Sequence, residues 1–317
     1  MPQSKKLQEL LGIDLPFLVA PMFLVSNTAM VIAAMKRGGA GCIPALNYRK
    51  ISELKVAIKE MKAAKPPNGA FGINIIVNPS NLKYREQLKA CCEEGVDFII
   101  TSLGSPREVI VKARRAGIKV FCDVVNLDHA QKAEKLGCDA LIAVNNRAGG
   151  HRGTYPPDVL IKELVENTNL PVISAGGIGT KEDLDMVLSY GAAGASIGSP
   201  FIASEESLVS KEYKQACVDY GADDIVMTKK ISGTPCTVIN TPYVQKVGLD
   251  ETWLEKKLHK YTFLKKWIKL LRYIKGTQDV VNSAQKVTYK NVWVAGPSIQ
   301  YTSKIEPISK IIDRFVA

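Results

Sequence analysis

Eight times within the first two hundred residues a short apolar run is followed by a helical pattern, and this alternation limits the chain more than any other property. The runs lie at Leu15–Met22, Gly41–Leu46, Ala70–Val77, Asp97–Leu103, Lys119–Val125 and Ala140–Asn145, and at the starts of Leu170–Leu184 and Gly191–Phe201. Helical spacing covers Asn27–Lys36, Ile51–Ala64, Leu82–Glu94 and Asp128–Gly137. Further helices open at Ser105-Pro106, after Pro157 and at Thr180. Strands that alternate with helices pair in parallel, and eight such units close on themselves. The predicted fold is therefore α/β, a (β/α)8 TIM barrel over residues 1–203. A smaller helical and extended appendage follows at 204–290, and a segment at 291–317 returns to the barrel. A chain of 317 residues, 46% of them hydrophobic, has enough apolar material for such a core.

Active sites of such barrels lie at the carboxyl ends of the strands. There the sixth run stops at Arg147-Ala148-Gly149-Gly150-His151. Two glycines let a planar ligand approach the backbone and let the imidazole be aimed at it. The seventh and eighth runs end in Ser174-Ala175-Gly176-Gly177-Ile178 and Ser196-Ile197-Gly198-Ser199. Backbone N–H groups of glycine turns, beside a helix N-terminus such as that capped by Thr180, bind phosphate, and this pair falls in the two loops where barrels hold it. The same face collects Ala20-Pro21-Met22, Asn74, Ser102 and Asp123. Asn74 interrupts an apolar strand, so its amide needs partners that a heterocycle supplies.

The seven cysteines, Cys42, Cys91, Cys92, Cys122, Cys138, Cys217 and Cys236, form no Cys-x-x-Cys pair and have no histidine at ligand spacing, which argues against zinc, iron–sulfur or any other metal site. Reduced thiols and a start, Met1-Pro-Gln-Ser-Lys-Lys, without an apolar signal core predict a cytoplasmic protein. No run approaches the roughly 20 apolar residues of a membrane span. The formal net charge is +11, and residues 246–290 hold eleven Lys or Arg against four Asp or Glu. Such a lobe is open to several readings: solvated surface, attraction of anionic substrates, or contact with an acidic protein, a lipid surface or nucleic acid, of which nucleic acid is not expected. Leu254, Leu258, Tyr261, Leu264, Ile268 and Leu271 form an apolar stripe there, predicted to dock on the barrel or on a second copy in a homodimer.

With these residues in place the chain resembles the nitronate monooxygenases, once called 2-nitropropane dioxygenases. Their relatives are the flavin-dependent enoyl-acyl-carrier-protein reductases and the NADH:quinone reductases. The likeness runs through Ala20-Pro21-Met22, Gly72-Ile73-Asn74, Ala148-Gly-Gly-His-Arg-Gly153, Ser174-Ala-Gly-Gly-Ile178, Ser196-Ile-Gly-Ser199, Gly233-Thr-Pro-Cys-Thr-Val-Ile-Asn240 and Val292-Trp-Val-Ala-Gly296. It implies FMN as cofactor. Gly176, Gly177, Gly198 and Ser199 would hold its phosphate, and Asn74 its ring or ribityl chain. Ala20, Pro21 and Met22 would lie beneath the isoalloxazine, with Ala148, Gly149 and Gly150 close by and Asp123 and Ala175 completing the pocket. His151 matches the family's active-site histidine. The implied reaction is oxidation of alkyl nitronates or nitroalkanes by molecular oxygen to a carbonyl compound and nitrite. Reduction of an enoyl thioester or quinone with NAD(P)H, and a phosphate-ligand barrel without redox activity, are the alternatives. Two positions depart from the pattern: Arg147 stands where the family usually carries an acid, and Val144 where it carries Gln or Glu. The basic insertion near residues 249–285 is expected to cover the site.

Overall fold

The computed structural model describes residues 6–229, 235–249 and 292–316. Eight parallel strands close into a barrel in chain order: β1 (Phe17–Val19), β2 (Ala40–Pro44), β3 (Ala70–Ile76), β4 (Phe98–Ser102), β5 (Lys119–Val124), β6 (Ala140–Val144), β7 (Val172–Ala175) and β8 (Gly194–Ile197). β8 pairs back onto β1, Leu18 facing Ser196. The strands are apolar nearly throughout because side chains on one face fill the barrel and those on the other meet helices. Leu18, Cys42, Phe98, Ile100, Phe121, Ile142 and Ile173 form the inner cluster. Phe98 and Phe121 stack there with centroids 5.2 Å apart. Room for them comes from β3, where a Cβ on Gly72 would lie 2.4 Å from the Phe98 ring. A short helix, α1 (Leu7–Leu11), seals the amino-terminal end, its Leu7 N–H donating to Ala193 O at 2.8 Å.

Helices α2 (Thr28–Lys36), α3 (Ile51–Ala63), α4 (Tyr84–Glu94), α5 (Arg107–Arg115), α6 (Leu127–Leu136), α7 (Pro157–Asn167) and α8 (Lys181–Ser189) follow the first seven strands and cover the outer face. Their starts obey capping chemistry: Asn27, Asn126 and Thr180 accept from the backbone N–H groups of Met30, His129 and Asp183. After β8 comes a 3₁₀ turn (Ser199–Phe201), then α9 (Lys211–Asp219), the antiparallel pair β9 (Ile225–Thr228) and β10 (Cys236–Ile239), and α10 (Pro242–Val247). The sequence of Glu205–Tyr220 has a helical pattern, but the helix is confined to α9 because Ser210 caps it from within. The apolar segment 292–297, strand-like in sequence, forms a single bridge between Val294 and Val238, followed by a 3₁₀ turn at Pro297–Tyr301. The stripe at 254–271 lies outside the described residues.

The last helix, α11 (Ile308–Val316), packs against α2, α8 and the Ser199–Phe201 turn. It thus supplies the eighth outer helix, and everything from the end of β8 to Ile308 is inserted in the eighth strand–helix unit. Ile308, Ile311, Ile312 and Phe315, on one helical face, are all buried. The Phe315 ring lies 5.3 Å from Phe17 and 6.1 Å from Phe201. Among the described residues no helix is long and apolar enough to cross a membrane.

Candidate active site

A cavity of about 920 Å³ opens at the carboxyl end of the barrel, within the usual range for small-molecule sites. Its first wall is Ala20-Pro21-Met22 after β1. Ser26, only 2% exposed, locks that turn: its Oγ donates to Ala20 O at 2.9 Å and accepts from Met22 N–H at 2.9 Å. Asn47 braces the same turn, donating to Ser26 O and accepting from the Leu24 N–H, which holds Leu24 at φ 59°.

The second wall is a row of polar groups across β3, β4 and β5. Asn74 Nδ2 donates to Ser102 Oγ at 2.8 Å and to Ile100 O at 3.2 Å, and Ser102 Oγ donates in turn to Asp123 Oδ2 at 2.5 Å. Removal from water raises the Asp123 carboxyl to about 6, against the opposing pull of the Ser102 hydrogen bond.

The third wall is the loop after β6. Asn145, fully buried, accepts from Arg147 N–H at 2.8 Å and donates to Gly176 O at 3.0 Å, so one amide joins this loop to the turn after β7. From the inserted region, Thr237 on β10 accepts from Gly150 N–H at 2.8 Å, and its own N–H donates to Gly150 O at 2.9 Å. His151 follows. It keeps exposed surface within the cleft, while the protein around it desolvates the imidazole and holds its pKa below the ordinary 6.5.

The last wall carries Ala175-Gly176-Gly177 and Gly198-Ser199, on neighbouring strands. Gly176 and Gly177 have φ of 119° and 81°, a left-handed region that other residues adopt only with strain. A Cβ on Gly198 would come no nearer than ordinary contact, with Met22 Sδ at 3.4 Å and Ala20 Cβ at 3.5 Å, and Gly198 lines the cavity. Ser199 Oγ accepts from Gly296 N–H at 2.8 Å. One expectation is corrected here. The N-terminus of α8 lies outside the cavity wall, its Thr180 accepting from Asp183 N–H and its Gly179 N–H donating to Asp183 Oδ2 at 3.0 Å. The turn that does face the cavity is the short 3₁₀ segment beginning at Ser199.

All fourteen residues singled out from the sequence, Ala20, Pro21, Met22, Asn74, Asp123, Ala148, Gly149, Gly150, His151, Ala175, Gly176, Gly177, Gly198 and Ser199, line this one cavity. Sequence reasoning missed Ser26, Asn47, Asn145 and Thr237, which touch the wall from behind. Asn145 carried the same signal as Asn74, an amide closing an apolar strand. No group of three or more metal-ligating side chains occurs among the described residues.

The profile of the nitronate monooxygenase family matches residues 4–317. A Mycobacterium tuberculosis protein named (3aS,4S,5R,7aS)-5-hydroxy-7a-methyl-1-oxo-octahydro-1H-indene-4-carboxyl-CoA dehydrogenase is 31% identical over 246 residues, 76% of this chain and 67% of that relative. The chain thus matches about two thirds of that relative's length. A nitronate monooxygenase of Paraburkholderia phytofirmans is 28% identical over 278 residues, 73% of this chain and 75% of its own length. The structure of FabK from Thermotoga maritima superposes with a TM-score of 0.80 at 27% identity, over 98% of this chain and 94% of that one. On the match across nearly its whole length, the chain belongs to the nitronate monooxygenase family of oxidoreductase enzymes.

Proposed function

We propose that this protein is an FMN-dependent oxidoreductase that oxidises alkyl nitronates and nitroalkanes with molecular oxygen to a carbonyl compound and nitrite. The observation that carries the reading is the facing of Gly176-Gly177 and Gly198-Ser199 on adjacent strands, with His151 on the wall beside them. The fit to FMN rests on Gly198, whose missing Cβ leaves space at the cavity wall, and on the positive-φ turn that frees backbone N–H groups for a phosphate. Gly176, Gly177, Gly198 and Ser199 would hold that phosphate. Asn74 and Asp123 would face the ribityl chain or ring edge, Ala20, Pro21 and Met22 would support the ring from below, and Ala148, Gly149, Gly150 and Ala175 would flank it. Bound there, FMN supplies the electron transfer.

The work left to the chain is orientation and proton handling. With its pKa held below 6.5, His151 is neutral at pH 7 and can take the α-proton of a nitroalkane on a ring nitrogen. The resulting imidazolium then faces the anionic nitronate. Asp123, raised to about 6, is a second titratable group on the cavity wall. A second reading is favoured by one observation: Arg147 and Arg152 both line the cavity, against the single carboxylate of Asp123. A cationic wall suits a phosphate-bearing substrate, and the relative named for a carboxyl-CoA substrate is consistent with NAD(P)H-linked turnover of a thioester.

The test is turnover of FMN-loaded wild type and His151→Ala, with neutral nitroalkane and with preformed nitronate. General acid–base help is worth about 10²- to 10⁴-fold, so the variant should lose that much with the nitroalkane and much less with the nitronate. For wild type the nitroalkane rate should fall as pH drops through a value below 6.5. Rapid anaerobic flavin bleaching by NADH, with no nitronate oxidation, would replace this reading by the second.

A further inference from the structure

Arg147 lies along the glycine turn after β7. A Cβ built on Gly177 would stand 2.8 Å from Arg147 Cβ, 3.0 Å from its Cδ and 3.0 Å from its Nε, so the whole side chain follows that turn. Its backbone is fixed, the Arg147 N–H donating to Asn145 Oδ1 and Asn145 Nδ2 donating to Gly176 O. The guanidinium is therefore carried at a set distance from the turn. It is half-buried and lines the cavity, and among the described residues no carboxylate pairs with it. The carboxylate that lines the cavity, Asp123, accepts from Ser102 and lies on β5, two strands from the β7 turn that carries Gly177.

A half-buried guanidinium that no carboxylate pairs among the described residues is available to a bound anion, which would supply its counter-charge. The turn it follows offers backbone N–H groups in positive-φ geometry, the arrangement that cradles phosphate. A planar guanidinium adds two parallel donors and a full charge to such a cradle.

Resting on the flavin reading of this site, we propose that Arg147 clamps the phosphate of FMN and makes the cavity select the phosphorylated flavin over riboflavin. A phosphate monoester carries about −1.5 to −2 charges at neutral pH. The neutral hydroxyl end of riboflavin offers the guanidinium no charge to pair with, so Arg147 adds to the preference that the backbone N–H groups of the turn already give.

The experiment is titration of the deflavinated full-length protein with FMN and with riboflavin, followed by flavin fluorescence at low and high salt. The proteins are wild type, Arg147→Gln and Arg147→Lys, each checked for an unchanged thermal transition. Losing a charge-assisted pair should weaken FMN by about 10- to 100-fold and leave riboflavin unchanged, with Arg147→Lys in between and the salt dependence of FMN binding reduced in Arg147→Gln. Unchanged FMN affinity in Arg147→Gln, or equal weakening for both flavins, would overturn the clamp while leaving flavin binding intact. Wild type that binds neither flavin would overturn the cofactor reading itself, and the clamp with it.

Discussion

Asp123 shows how one residue links the cavity to stability. Its carboxyl titrates near 6 in the native chain, against about 3.9 when unfolded. The sign follows directly. Between about pH 4 and 6 the native state binds more protons than the unfolded one, so stability falls as pH rises through that window and the full penalty is present above it. In flavin-free protein Asp123→Asn should therefore raise the melting temperature at pH 7 to 8, by the equivalent of up to about 3 kcal/mol, and leave it nearly unchanged at pH 4. Calorimetry across this range is the measurement, and a gain that persists undiminished at pH 4 would show that ionisation is not its source. Asn74 and Asp123 could be read from the sequence as polar side chains within apolar strands, and His151 as a histidine delivered by two glycines after one. Ser26 and Thr237 could not. Each acts through a hydrogen bond to backbone distant in space, Thr237 to a glycine 87 positions earlier, and no local pattern carries such a pairing.

At the scale of elements, β10 is the tie between the insertion and the loop after β6. Thr237 meets Gly150 through backbone and hydroxyl together, and Ile239 N–H donates to Trp293 O at 2.8 Å, so one edge of β10 is held at two points while the other pairs with β9. Thr237→Val keeps the shape and removes the hydroxyl. Loss of that bond is worth about 1 kcal/mol, so the Gly150 amide should exchange with solvent deuterium several-fold faster, while amides of β3 and β4 stay protected. Equal exchange at Gly150 in both proteins would show the loop to be held by other contacts. The barrel strands were legible because buried parallel strands read as apolar runs bounded by turns. β9 was not, its four residues Ile225–Thr228 being too few to establish a period, and neither was α1, a helix of five. The N-terminus of α8 was found correctly, but its direction was not. Capping residues mark where a helix starts, and only packing decides what that start faces.

At the scale of the molecule, α11 completes a wall that the chain leaves open after β8. Phe315 is its largest buried side chain, wedged between Phe17 of β1 and Phe201. Phe315→Ala should lower unfolding stability by about 3 kcal/mol in a urea titration, without altering the cavity residues at the barrel mouth. A loss below about 0.5 kcal/mol, the range of ordinary surface substitutions, would mean that this helix docks only loosely. That the segment 291–317 returns to the barrel was expected from the sequence, but its helix, with apolar residues at 308, 311, 312 and 315, was not singled out. Nor was its place in the ring, because chain order separates it from β8 by the entire insertion.

That separation also sets the order in which the molecule can be built. Seven strand–helix units leave the ribosome in the sequence in which they pack, each beside its predecessor. The groove between α2 and α8 is formed by then, yet the helix that fills it is made only after the insertion has been synthesised. Until Ile308–Val316 arrives, Phe17 and Phe201 line an uncovered apolar slot on the nascent chain. Contacts between residues so distant in sequence form late and slowly, and an open apolar slot is what chaperones bind and aggregates grow from. Docking of the final helix is thus the step at which a vulnerable nascent barrel becomes a closed protein.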